Sequence, residues 1–166
     1  MRPLKRFRSS AVCVVATISN VALAAEMPQA IQAKGEVIVL EARGVGAQIY
    51  ECMADASGKL AWRFREPIAA LIRDGKTIGR HYAGPTWEIE GSVIVAKVIG
   101  RAPGASASDV PWLKLVVAER RGQGPLADVS TVQRIDTNAG NLEGACDKAG
   151  VFRAEPYSAE YVFLKK

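Results

Sequence analysis

The 166-residue chain has one histidine, His81, and three cysteines. A single histidine excludes a multi-histidine metal centre. Two distant cysteines plus His81 are the remaining soft ligand set, and they lack the close-spaced pairs that zinc sites show. There is no Gly-x-Ser-x-Gly elbow, so the usual serine-hydrolase nucleophile is missing. The glycine pair of ARGVGAQIYEC follows a strand-like run, but no third glycine and no helix pattern come after it. A dinucleotide fingerprint needs that helix, because its N-terminus meets the pyrophosphate. Gly44 and Gly46 are therefore read as a hairpin turn. Nothing in the sequence asks for a cofactor.

Acids are also missing from the start of the chain. MRPLKRFR carries Arg2, Lys5, Arg6 and Arg8, and the small apolar run SSAVCVVATISNVALAA follows it. A basic start, an apolar middle and the small exit Ala22-Leu23-Ala24 make a secretory signal peptide over residues 1–24. Thr17, Ser19 and Asn20 interrupt the run, which is shorter than the roughly 20 apolar residues of a membrane span. Once the leader is removed, no transmembrane segment is expected. Taking its four basic residues from 22 leaves 18 against 17 acids, so the net charge falls from +5 to +1. Basic and acidic residues then alternate, and no basic stripe remains for a nucleic-acid partner. Cys13 leaves with the leader. Cys52 and Cys146 remain, and an even pair in an exported chain reads as a disulfide. The expected location is periplasmic or secreted.

Residues 25–166 read as a single all-β domain, an antiparallel β-sandwich or barrel with long loops. Short β-branched runs recur at Val37 to Ala42, Ala47 to Met53, Leu60 to Arg65, Ala69 to Arg73, Thr77 to Tyr82, Thr86 to Ile89, Ser92 to Arg101, Trp112 to Arg120, Val129 to Asp136 and Tyr157 to Leu164. Turn signals separate them at Gly44-Val45-Gly46, Ser57-Gly58, Asp74-Gly75, Glu90-Gly91 and Arg121-Gly122. Longer loops are expected at 102–110, 122–128 and 137–153. With Glu90-Gly91 as a two-residue turn, Ile89 faces Ser92, Glu88 faces Val93 and Trp87 faces Ile94. Trp87, Ile89, Ile94, Ala96 and Val98 then form one core face. Glu88, Val93, Val95, Lys97 and Ile99 form the other.

HYAGPTWE, residues 81–88, holds the lone histidine between two aromatics. Catalysis by His81 needs a partner, and Glu88 and Asp74 are the nearest acids, with Lys97 across the hairpin. The structural alternative is a histidine that ends a strand and bonds a loop backbone. Pro85 fixes its own φ and holds Gly84 extended, which makes a rigid turn presenting Tyr82 and Trp87. Tyr157, Ala159, Tyr161 and Phe163 alternate onto one strand face. Such a stripe is usually core, and it can also line a barrel mouth that takes a small ligand.

Together with GAQIYEC (46–52), VPWL (110–113), STVQRIDT (130–137), Cys146 and PYSAEYVF (156–163), this segment resembles the bacterial and fungal family known as domain of unknown function 3455. The resemblance runs over about residues 35–164. It implies an exported, single-domain protein of a family without an established activity, and it transfers no catalytic residue. Three roles follow from the sequence. One is a binding module for a small or amphipathic ligand, with His81, Tyr82, Trp87, Glu88 and Lys97 as the site rim. Another is an envelope protein-interaction domain with a filled core and an exposed apolar patch. A third is a hydrolase or isomerase using His81 with Glu88 or Asp74.

Overall fold

The computed structural model describes residues 27–166, so the leader expected at 1–24 lies outside the described residues. The chain folds as eight antiparallel strands. They are β1 (Val37–Ala54), β2 (Leu60–Arg73), β3 (Lys76–Tyr82), β4 (Thr86–Ile89), β5 (Ser92–Ala102), β6 (Trp112–Arg121), β7 (Thr131–Ala139) and β8 (Phe152–Lys165). Each strand pairs with the next, and β1 pairs with β8, so a single sheet closes into a ring. A ring has no free edge to protect, and closure decides between the two architectures left open by the sequence. The ring is uneven, because β4 has 4 residues and β1 has 18.

The β4–β5 hairpin has the expected register. Ile89 pairs with Ser92, Glu88 with Val93 and Trp87 with Ile94. Glu90 (φ 46°) and Gly91 (φ 81°) both take the left-handed backbone of a primed turn. Trp87, Ile89, Ile94 and Ala96 are buried in the barrel, with Val98 packed against them.

The expected turn at Gly44-Val45-Gly46 is corrected. These residues lie inside β1, with Gly44 paired to Leu71 and Gly46 to Ala69. The two expected strands on either side are one strand. The glycines serve close approach instead of reversal. A Cβ on Gly44 would lie 2.5 Å from the Tyr161 ring, and one on Gly46 would lie 2.0 Å from the Ile68 carbonyl oxygen. Glycine inside a strand marks such an approach or a tight bend in the wall. The runs expected at 60–65 and 69–73 likewise join into β2, through Pro67. Strands also take part of the loop expected at 137–153, since β7 runs to Ala139 and β8 begins at Phe152.

One end of the barrel is plugged by Leu126 and Val129, both fully buried, from the loop after β6. Leu126 N–H donates to Ser92 Oγ at 3.1 Å, which holds the plug to the start of β5. At the other end, β1 and β2 run on together beyond the barrel. There Cys52 forms a disulfide with Cys146, pinning the β7–β8 loop to this ribbon. Trp62 N–H donates to Gly144 O at 3.1 Å and adds a backbone tie. Outside the wall, the 3₁₀ turn Gln29–Ile31 lies against β5, β6 and β7. Gln133 Nε2 donates to Ile31 O at 2.6 Å, and Lys114 Nζ donates to Gln32 O at 2.9 Å.

Two stability outcomes are expected. Replacing both Cys52 and Cys146 by serine should lower the unfolding free energy by about 4–5 kcal/mol, as chain entropy predicts for a loop of this length. Chemical denaturation of the oxidised protein and the double variant checks this. Gly46→Ala should cost about 3 kcal/mol or more, because its Cβ meets backbone that cannot swing away. A urea-midpoint loss worth under about 1 kcal/mol would show that the wall yields there.

Candidate functional site

The open end of the barrel is hollow. A cavity of about 580 Å³ lies between the wall and the two loops that cross this end. Its apolar lining includes Tyr50, Trp62, Phe64, Val98, Leu113 and Leu142. Below it, a small space of about 20 Å³ reaches inward between His81, Trp87, Leu115, Arg134 and Tyr161. A shallower depression of about 550 Å³ lies toward the opposite end, bordered by Arg73, Asp74, Lys76 and Glu90. Its charges sit on exposed turns, whereas the first cavity reaches buried polar groups.

The crossing loops are fixed to each other. Asp109 Oδ1 accepts from Ala139 N–H at 2.6 Å, and Thr137 Oγ1 donates to Val110 O at 2.7 Å. Asn141 Nδ2 donates to Ala107 O at 2.9 Å. The Ala139 N–H, with Ser106, holds the Asp109 carboxyl below its ordinary range. Tyr50 Oη donates to Gly140 O at 2.9 Å, which ties the β7–β8 loop to β1.

The cavity floor is aromatic. His81 and Trp87 are directly opposed on β3 and β4, and their rings stack with centroids 4.4 Å apart at 10°. Tyr161 meets both edge-on, at 5.1 Å from His81 and 5.6 Å from Trp87. The Tyr157 and Tyr161 hydroxyls are 3.1 Å apart. The stripe Tyr157, Ala159, Tyr161 and Phe163 is core along its length, and its two hydroxyls form a polar spot beneath the mouth.

His81 is 3% exposed, and Nδ1 lies 2.8 Å from Thr86 O. A carbonyl oxygen only accepts, so Nδ1 carries the proton and Nε2 is the acceptor. Burial pushes the imidazole pKa down to about 3, so the ring is neutral near neutral pH. This is close to the structural alternative, except that His81 is the next-to-last residue of β3 and its partner is the first residue of β4. Gly84 closes the turn at φ 102°, a left-handed value open to glycine, where the sequence suggested extended backbone. Pro85 O accepts from Ala96 N–H at 3.1 Å.

The five expected rim residues divide between two surfaces. His81 and Trp87 face inward. Glu88 lies on the outer wall, where Arg80 Nη2 donates to it at 2.9 Å and Tyr82 Oη at 3.2 Å. The Arg80 guanidinium holds the Glu88 carboxyl below its ordinary range. Lys97 is exposed on β5. Asp74 sits in the β2–β3 turn beside Arg73. His81 therefore has neither Glu88 nor Asp74 as an acid partner.

Sequence reasoning missed two residues. Arg134, on β7, is 8% exposed, with Leu113 and Tyr161 as its cross-strand neighbours. Its Nε and Nη2 both donate to Pro111 O, at 3.1 and 2.8 Å. No carboxylate forms an ion pair with it among the described residues. Gln48, on β1, is 1% exposed and borders the same cavity, and its Nε2 is buried without a hydrogen-bond partner. The available signal was a charge inside the alternating run TVQRI, in phase with Val132.

The structure holds no group of three or more histidine, cysteine, aspartate or glutamate side chains arranged for a metal ion, among the described residues. Nor is any described helix long and apolar enough to cross a membrane. A family model described as a protein of unknown function (DUF3455) matches residues 32–165. No curated protein and no solved structure matches the chain.

The burial of His81 sets a pH dependence. The unfolded imidazole takes up a proton below about pH 6.5, whereas the folded one resists it down to about 3. Stability from this group is complete above about pH 6.5 and drains as the pH falls toward 3, by roughly 4 kcal/mol at the lower end. Carboxylates titrate in the same window, so the comparison is with His81→Gln. The wild type should lose stability more steeply on acidification. Parallel profiles for the two proteins would show that burial does not hold the ring neutral.

Proposed function

The chain belongs to the DUF3455 family of proteins of unknown function, and we propose that it is an exported binding module for a small, partly apolar ligand held in the barrel mouth. The observation that carries this reading is the hollow end. Leu126 and Val129 close the other end and leave a depression of about 550 Å³ outside them, whereas the mouth keeps about 580 Å³ that reaches buried polar groups under two loops that bond each other. A cavity of this size, with an apolar lining and a few converging polar groups, is the usual form of a small-molecule site. The interaction reading expects a filled core, and the hollow mouth disfavours it. The enzyme reading asks for an acid beside His81, and Thr86 O occupies Nδ1 instead. Export rests on the basic and apolar leader and on the Cys52–Cys146 disulfide, since such bonds persist in oxidising compartments.

The uncharged dye Nile red tests the cavity. It should brighten on titration with the oxidised protein. Val98→Trp, which fills the space from β5, should weaken the dye at least tenfold in protein that still melts cooperatively. A dye that ignores the protein, or binds the variant equally well, would overturn the binding reading. The denatured mass of protein expressed with its leader in a bacterium tests export separately. Loss of residues 1–24 is expected, and a full-length mass would overturn it.

A further inference from the structure

We infer that the ligand of the barrel mouth is a monocarboxylic acid with an apolar body, and that Arg134 and Gln48 receive its carboxylate. The inference rests on the binding reading above and goes further by naming the chemistry. Arg134 is a buried cation whose neighbours are neutral, the carbonyl of Pro111 and the hydroxyl of Tyr161. A desolvated charge calls for an opposite charge, and the barrel interior offers none. His81 is neutral, and burial raises both Tyr157 and Tyr161 above the ordinary phenol range, so neither supplies a phenolate. Gln48 adds a second, independent sign, a buried amide donor beside the Tyr157 hydroxyl that makes no hydrogen bond of good geometry. Both groups are donors, and both border the same cavity. They therefore ask for an acceptor, and Arg134 asks for a negative one.

The rest of the lining agrees. Arg63, Arg65 and Arg101 stand at the mouth, and no aspartate or glutamate lines the cavity among the described residues. Arg65 is paired with Glu51 and Glu66 outside it. Such a funnel of one sign draws anions inward. With Nε and Nη2 donating to the single Pro111 oxygen and no carboxylate paired to it among the described residues, the guanidinium keeps donors to spare, and its planar fork suits a carboxylate. One buried cation neutralises one negative charge, so a phosphate dianion would leave a second charge buried. The aromatic and aliphatic walls then take an apolar body.

Isothermal calorimetry at pH 7.5 on the whole oxidised chain tests this. The probes are decanoic acid and decyl phosphate, each below its micelle-forming concentration, and methyl decanoate below its solubility limit. Decanoate should bind at least tenfold more tightly than the ester and more tightly than the phosphate. Arg134→Met should cost decanoate at least tenfold and leave the ester unchanged. If that variant fails to fold, Arg134→Lys keeps the charge without the planar fork and should weaken decanoate alone. An ester as tight as the acid would overturn the carboxylate inference while the binding reading stands. A phosphate as tight as the acid would overturn the assignment of a single charge. No binding by any probe, with Nile red also silent, would overturn both readings.

Discussion

The ring closes only because β1 lies between two partners at once. It pairs with β2 along one edge and with β8 along the other. A strand shared in this way, in a wall that curves tightly, cannot carry a side chain at every inward position. Gly44 and Gly46 provide the relief. The Tyr161 ring occupies the space where a Gly44 side chain would stand, and the β2 backbone comes in against Gly46. Tyr161 thereby reaches across the interior to His81 and Trp87. The aromatic floor thus depends on two positions that contribute no side chain of their own.

That floor leaves the interior in two unlike halves. Below it the barrel is filled by residues such as Leu71, Ile89, Ile94 and Phe163, and Leu126 and Val129 close the end. Above it, the space holds a guanidinium, an amide and two phenols, among aromatic walls. Stability does not account for this choice. Replacing even a buried ion pair by apolar residues is often neutral or stabilising, and a buried arginine without a carboxylate lacks that pair's attraction as well. An unpartnered buried amide costs free energy in the same way. Both costs fall beside the same cavity, and a bound acceptor would remove both together.

Much of the fold was legible because local chemistry dictated it. Glu90-Gly91 and Asp74-Gly75 need left-handed backbone, and both pairs take it. Fixing the first turn fixes the Trp87–Ile94 register and hence which face is core. The Gly44–Gly46 pair was misread because a turn and a close approach ask for the same residue. Only the long-range partners, Tyr161 and Ile68, distinguish them, and neither is near in sequence. The site failed to show for a related reason. HYAGPTWE alternates as a strand does, so His81 and Trp87 face the interior while Tyr82 and Glu88 face solvent. Proximity along the chain had grouped them as one rim. Lys97 is a lone charge in an apolar run and Arg134 a charge in an alternating one, and only closure of the ring shows which is buried.

The positions of the charges also decide which of them can select a ligand. Arg63, Arg65 and Arg101 stand at the lip, where salt screens their field and water competes for their donors. Arg65 is further occupied by Glu51 and Glu66. Arg134 lies inside the wall, with one edge fixed by the Pro111 carbonyl. Pro111 belongs to a loop that Thr137 and Asp109 fasten to the end of β7, the strand that carries Arg134. The guanidinium is therefore oriented before any ligand arrives, and little ordering cost remains at binding. Attraction is a property of the whole lip, whereas discrimination among anions falls to the one charge that is buried and already aligned.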